Sequence, residues 1–168
     1  MRATKGFTLV EILIVVVLLG VLAAIVIPAI AGSGMEARCS AVTCDLALLR
    51  RFILIYKAQH LEVPPGYPDG NTAAAPTEQA FIDQATLSSN AAGQTAAVGT
   101  AGFERGPYMQ HIPVNPLNKK STVQMLGDGE DFPADADDSH GWIYQAATGD
   151  IRADSSGTDR SGNRYYDY

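Results

Sequence analysis

Residues 5–31 read KGFTLVEILIVVVLLGVLAAIVIPAIA. From Ile12 to Ala31 only Gly20 and Pro28 are not plainly apolar, and about twenty such residues at 1.5 Å each match a hydrocarbon core of ~30 Å. By length this is a membrane span. Arg2 and Lys5 precede it and the longer polar part of the chain follows, so the positive-inside rule puts Met1 in the cytoplasm and the C-terminal part outside. One residue is out of place, because Glu11 stands at the threshold of the apolar run. A carboxylate drawn into hydrocarbon costs about 2.5 to 3.5 kcal/mol on insertion scales, so it needs the interface or a partner. At the membrane edge it can snorkel to the headgroups. A competing reading is an ordinary signal peptide cut after Ala29-Ile30-Ala31. Against it, the apolar run exceeds the usual h-region of about 7 to 15 residues and begins beside a carboxylate.

The segment Lys5-Gly6-Phe7-Thr8-Leu9-Val10-Glu11, set ahead of that run, resembles the class III signal of type IV pilins and of the pseudopilins of type II secretion. The resemblance implies that a prepilin peptidase cuts between Gly6 and Phe7 on the cytoplasmic side. It also implies that the new amine of Phe7 is N-methylated and that the apolar helix stays on the mature chain. The implied partners are the membrane before assembly, an inner-membrane assembly platform, and identical or related pilin subunits in a filament that is periplasmic or extracellular. Phe7 and Glu11 are then the assembly residues. When apolar helices bundle, the Phe7 amine of a neighbour supplies the counter-charge of Glu11, and a wrong axial register leaves a charge unpaired in an apolar core, which is costly. Gly20 and Pro28 match the family by their distance from Phe7. Pro28 lacks an N–H and cannot bond to the Ala24 carbonyl. A plain kink accounts for it, and so does the loss of regular helix between Gly20 and Pro28 that such chains undergo inside filaments.

Beyond the span, Gly32-Ser33-Gly34 reads as a flexible break. After it Val42, Leu46, Leu49, Ile53 and Tyr56 recur at alternating spacings of four and three, which is one face of an amphipathic helix. If the break is partial, a single helix runs from Phe7 to about His60, about 80 Å long. The opposite edge, with Cys44, Leu48 and Ile55, is also apolar and open to cover by neighbouring chains. Val63-Pro64-Pro65-Gly66-Tyr67-Pro68-Asp69-Gly70 then ends the helix and turns the chain. These boundaries divide the chain into a leader (residues 1–6), a transmembrane or filament-core helix (7–31), an amphipathic continuation (32–60) and an outer domain (61–168).

The stretch to about Gly102 is rich in Ala, Thr, Gly and Asn, with a short helix expected around Glu78 to Ala85, and cannot form a core alone. Strand signals come late. Trp142 to Gln145 and Ile151 to Ala153 flank a Gly-containing connection that reads as a β-hairpin, and Ser121 to Leu126 is a third strand. The expected fold class is therefore α+β: a long N-terminal helix packed against a small antiparallel sheet. GPYMQHIPVNP (residues 106–116) and GWIYQAATGDIRAD (141–154) are similar to segments of pseudopilins related to the major pseudopilin of type II secretion. Residues 71–102 and the Tyr-rich tail carry no such similarity.

Several function classes are excluded or weakened by composition. The chain of 168 residues has a formal net charge of -6, and its basic residues are scattered, which argues against a nucleic-acid partner. Cys39 and Cys44 are too far apart on one helix for a disulfide and miss the CxxC spacing, so they read mainly as small buried hydrophobes. His60, His111 and His140 stand in no recognisable catalytic motif, and an enzyme is not expected. The acidic run from Gly127 to Asp138 offers Asp128, Asp131, Asp135, Asp137 and Asp138 as oxygen ligands for a calcium ion. The resemblance adds that major pseudopilins hold a loop of the C-terminal sheet with calcium. The run is no EF-hand: counted from Asp135, the required Gly falls on His140 and the closing Glu on Ala146. A solvated acidic loop is the plainer reading, and Asp154 to Asp159 is a second candidate loop. Pseudopilin, extracellular type IV pilin and a monomeric anchored binding domain remain the three functional alternatives, with the first favoured by the late segments.

Overall fold

The computed structural model describes residues 8–168, and within the first helix it describes the backbone but not the side chains of residues 27–33. The chain divides into two compact units, the second running from Arg38 to Tyr168. The described residues of the first unit are helical from Leu9 on. The second is an α+β domain built on the later turns of the same helix.

Helix α1 (Leu9–Gln59) is unbroken across Gly32-Ser33-Gly34, where the sequence suggests a flexible break. Glycine costs a helix interior only about 1 kcal/mol, and the good helix formers on both sides outweigh two of them. Helical backbone also continues through Gly20 and Pro28. Every described side chain from Thr8 to Val26 is exposed, and from Ile12 on these side chains are apolar apart from Gly20.

In the outer unit α1 buries Val42, Leu46, Leu49, Ile53 and Tyr56, the face that its sequence spacing marks out, together with Phe52, and His60 just beyond the helix is buried too. A 3-10 turn (Pro68–Gly70), helix α2 (Glu78–Thr86) and a short antiparallel pair, β1 (Ser88–Ser89) with β2 (Thr95–Ala96), occupy the stretch after the helix. Thr77 starts α2 as its N-cap, the hydroxyl accepting from the Ala80 N–H. Phe81 and Gln84 are buried on α2, and Gln84 ties the segment together by accepting from the Gly66 N–H and donating to the carbonyls of Tyr67 and Gly93. Gly70 and Gly93 meet backbone to backbone: both have positive φ, and a Cβ on Gly70 would lie 1.9 Å from the Ala92 carbonyl oxygen. The low-complexity stretch thus docks through Phe81 and Ala85 in the core, supplemented by glycine contacts and amide hydrogen bonds.

The main sheet orders β3 (Val123–Leu126), β4 (Trp142–Gln145) and β5 (Asp150–Ala153), with β4 in the centre. The expected hairpin is present as the antiparallel β4–β5 pair, with Tyr144 opposite Ile151. The third strand differs in direction from the expectation: β3 runs parallel to β4, Val123 opposite Trp142. A parallel pair needs a crossover of a dozen or more residues, and the acidic run is that crossover. Trp142, Tyr144, Ile151 and Ala153 pack with the buried face of α1 in one core. Leu126 and Ile143 point to the other side and form a second, smaller cluster with Tyr166, Phe132 and Ala136. The unassigned Tyr-rich tail ends in a 3-10 turn (Tyr165–Asp167) that buries Tyr165 and Tyr166, and Arg152 lies over the rings of Phe132 and Tyr166 at 4.5 and 5.1 Å.

Candidate functional site

The first candidate is the start of α1. Gly6 and Phe7 lie outside the described residues, as does the Pro28 side chain, while Glu11 is within them. The Thr8 carbonyl accepts the first helical bond from Ile12 N–H at 3.3 Å, which makes Thr8 the N-cap. Its hydroxyl accepts from the Glu11 N–H at 3.2 Å, and Glu11 Oε2 accepts from both the Thr8 N–H and the Thr8 hydroxyl at 3.0 Å. This is a capping box, the T-x-x-E pattern in which cap and third residue satisfy each other's orphan donors. The pattern stands in the sequence as Thr8-Leu9-Val10-Glu11, so this local role was legible there alongside the assembly role. A carboxylate at a helix N-terminus also meets the positive end of the helix dipole. Glu11 therefore has an intrachain partner whether or not a neighbour is present. Gly20 has open space where a Cβ would stand, which leaves room for close approach of another backbone.

The second candidate is the acidic crossover, whose five aspartates do not converge. Asp128 accepts from the Tyr67 hydroxyl at 2.6 Å, and burial together with that bond pushes the Tyr67 phenol up to about 12. Asp131 is exposed. Asp135 pairs with Arg164 at 3.0 Å. Asp137 accepts from the Ser139 N–H, and the bonds from Ser139 hold its carboxyl below the usual range. Asp138 accepts from the N–H and hydroxyl of Ser156. Phe132 and Ala136 between them pack on the sheet, so the run is a fitted crossover and not merely a solvated loop.

What gathers the end of the crossover is Asp154, fully buried at the end of β5. Its Oδ1 accepts from the N–H groups of Asp137 and Asp138 at 3.0 and 3.2 Å. Its Oδ2 accepts from the His140 N–H at 2.7 Å and the Ser139 hydroxyl at 3.3 Å. The loop turns donors inward onto an anion, whereas a hard-cation site turns oxygens inward. Among the described residues no three His, Cys, Asp or Glu side chains are grouped to hold a metal. The second candidate loop behaves alike, with Asp159 accepting from Ser161, Asn163 and the Tyr168 hydroxyl. The donor sets present do not fit a resident calcium ion.

The remaining sequence candidates have structural partners. Ser139 Oγ lies 2.8 Å from His140 Nδ1 and also donates to Asp154; the hydroxyl sits between imidazole and carboxylate, whereas nucleophilic catalysis needs the imidazole in the middle. His60 is buried. Both cysteines are free, Cys39 half-buried and Cys44 exposed, which corrects the expectation that both are buried: Cys44 lies on the outward side of α1, away from Val42 and Leu46. Sequence reading missed Asn115 and Asn118, whose amides bridge the crossover ends through the carbonyls of Gly141, His140 and Asp154.

Residues 1–27 match the model of the prokaryotic N-terminal methylation motif. The chain is 32% identical to type II secretion system core protein G of Klebsiella pneumoniae over 77% of this chain and 79% of that one. It is 28% identical to the protein of that name from Aeromonas hydrophila over 77% of each. It is also 31% identical to the type IV narrow pilus major component PilA5 of Thermus thermophilus, over 62% of this chain and 94% of that one. No solved structure matches it.

Proposed function

Because the chain belongs to the family of type IV pilins and type II secretion pseudopilins, we propose that it is a non-enzymatic filament subunit of the core protein G kind, serving a type II secretion system. The observation that carries this reading is the methylation motif at residues 1–27 joined to 32% identity over most of a core protein G. The leader, residues 1–6, is removed by a prepilin peptidase between Gly6 and Phe7, and the Phe7 amine is methylated. The apolar part of α1 holds the precursor in the inner membrane with its outer unit on the periplasmic side, until an assembly platform transfers it into the filament.

Glu11 has two successive roles in this scheme. In the membrane its carboxylate is satisfied by Thr8. In the filament the positive amine of a neighbour's Phe7 competes for it, and a charged partner in an apolar surrounding outweighs a neutral hydroxyl. Gly20 and Pro28 allow α1 to yield where subunits crowd. The specific test is intact mass and N-terminal sequencing of protein from the cell envelope: a chain starting at methylated Phe7 is expected, and one starting at Gly32 overturns the scheme.

The relative from the Thermus narrow pilus, of which 94% is covered, supports a second reading as an extracellular type IV pilin. Deletion separates the two. Loss of exoprotein release with surface fibres intact identifies the secretion subunit, and loss of surface fibres identifies the pilin.

A further inference from the structure

The acidic crossover from Gly127 to Asp138 contains six carboxylates and no basic residue. Such a loop repels itself unless a bound ion, or cations brought from elsewhere in the chain, gather its oxygens. Two side chains reach it. The Lys120 ammonium donates to the carbonyl oxygens of Asp138 and Ser139 at 2.8 and 3.0 Å. The Arg164 guanidinium donates to the Ala134 carbonyl at 2.9 Å and pairs with Asp135 at 3.0 Å. Both are placed by the structure around them. The Asn118 side-chain oxygen accepts from the Lys120 N–H, and the Lys120 backbone lies so close to Gly141 that a Cβ there would stand 2.3 Å from the Lys120 carbonyl oxygen. Arg164 is held by a β-bridge to Thr158, with its guanidinium 5.5 Å from the centre of the Tyr166 ring. Neutral donors take further oxygens of the crossover: the Tyr166 hydroxyl donates to the Pro133 carbonyl at 2.7 Å and the Gln145 amide to the Glu130 carbonyl.

We infer that Lys120 and Arg164 are the crossover's own cations, tethered charges that take the part expected of calcium, so that the outer unit keeps its fold whether or not divalent ions are present. A hard cation needs about six to eight oxygens turned toward one point. Here the carbonyls of Glu130, Pro133, Ala134, Asp138 and Ser139 are each engaged by a donor from this chain, and those donors come from several directions. The difference is thermodynamic as well as geometric. A dissociable ion stabilises a fold by an amount that rises with the logarithm of its free concentration, whereas a tethered one contributes at every concentration. On the filament reading, assembly is then independent of calcium. That consequence rests on the filament reading, and the one for the outer unit does not.

Hydrogen exchange of the full-length protein in detergent, read by mass spectrometry with calcium and with a chelator at matched ionic strength, tests the inference. The amides of residues 137–140 are expected to exchange at the same rate in both conditions, and exchange at least tenfold faster in the chelator overturns it. The double variant Lys120→Met, Arg164→Met keeps much of the side-chain bulk without the charges. It is expected to speed exchange of the same amides at least tenfold, with no recovery on adding calcium, while Lys120→Arg, Arg164→Lys stays at the wild-type rate. Wild-type exchange in the uncharged pair, recovery of that pair with calcium, or equal acceleration in both pairs overturns the inference. Filament yield from the wild-type chain is expected to be the same with calcium and with chelator, and a tenfold loss in the chelator counts against it. Failure to form filaments in either condition removes the filament reading, and the exchange rates still decide whether the crossover carries its own cations.

Discussion

The ring of Tyr56 lies flat on the imidazole of His60, with centroids 3.7 Å apart and planes 10° apart. His60 Nδ1 donates to the Tyr56 carbonyl at 2.8 Å, which leaves Nε2 to accept from the Ser89 hydroxyl at 2.9 Å. Ser89 in turn exchanges backbone hydrogen bonds with Arg105. One buried neutral histidine therefore fastens both ends of the segment 89–105 to the last turn of α1.

Burial, with the Arg105 cation nearby, lowers the His60 pKa below its ordinary value. The native state thus favours the neutral ring. Its stabilising contribution is complete above the unfolded pKa of about 6.5 and is lost as pH falls through the lower folded value. The melting temperature of the outer unit is expected to drop as pH goes from 7 to 5. His60→Gln, which retains hydrogen-bonding capacity without a titrating group, is expected to remove that part of the slope in thermal melts.

The Tyr56 hydroxyl is buried and has no hydrogen-bond partner among the described residues. An unsatisfied buried hydroxyl carries a desolvation cost of about 1–3 kcal/mol. Tyr56→Phe is accordingly expected to leave stability unchanged or raise it, whereas Tyr56→Ala is expected to cost about 3–5 kcal/mol by opening a cavity. Urea unfolding distinguishes these outcomes, and marked destabilisation by Tyr56→Phe rules out an unpartnered hydroxyl.

Asp154 organises the crossover with two oxygens and four donors. Asp154→Asn turns one of those oxygens into a donor facing donors and is expected to cost about 1–3 kcal/mol. Faster hydrogen exchange should be confined to the amides of residues 137–140. Because the Asp154 oxygens are already taken up by loop donors, a chelator and a calcium titration should each leave the melting temperature where an ionic-strength control puts it. A specific rise with calcium contradicts that assignment.

Thr8→Ala removes the cap hydroxyl but leaves the Glu11 charge. Helix stability at that end is expected to fall by about 0.5–2 kcal/mol, with filaments still forming. Glu11→Leu is expected to leave membrane insertion intact and to abolish filaments. Sheared-filament yield and membrane fractionation measure both, and normal yield from Glu11→Leu defeats the register role.

The face of α1 was readable because Val42, Leu46, Leu49, Ile53 and Tyr56 repeat with helical period, and the hairpin because its strands flank a Gly-containing turn. The direction of β3 was not: four residues pair equally well either way, and only the long connection to β4 excludes an antiparallel neighbour joined by a tight turn. The Ala- and Gly-rich stretch reads as coreless because it gives the core only Phe81, Ala85 and part of Ile82, and its other anchors, Gln84, Ser88 and Ser89, are buried polar residues that no hydrophobic pattern reveals. The acidic run advertised its carboxylates, and their destinations depend on Asp154 and Arg164, distant in sequence. Thr8 and Glu11 stand inside a processing signal as well as a T-x-x-E pattern, and the first meaning overshadows the second.

The order of strands along the chain has a biosynthetic consequence. The residues that cover Leu46, Leu49 and Ile53 include Trp142, Tyr144 and Ile151, all from the final third of the chain. In the orientation proposed above, with an N-terminal anchor inserted first, the sticky flank of α1 would reach the far side of the membrane early and wait for its lid. At about 5–20 residues per second the remaining hundred or so residues take on the order of ten seconds to be made. During that interval a chain so inserted would present bare leucine and isoleucine to its surroundings, open to holding chaperones and proteases before its own sheet is made.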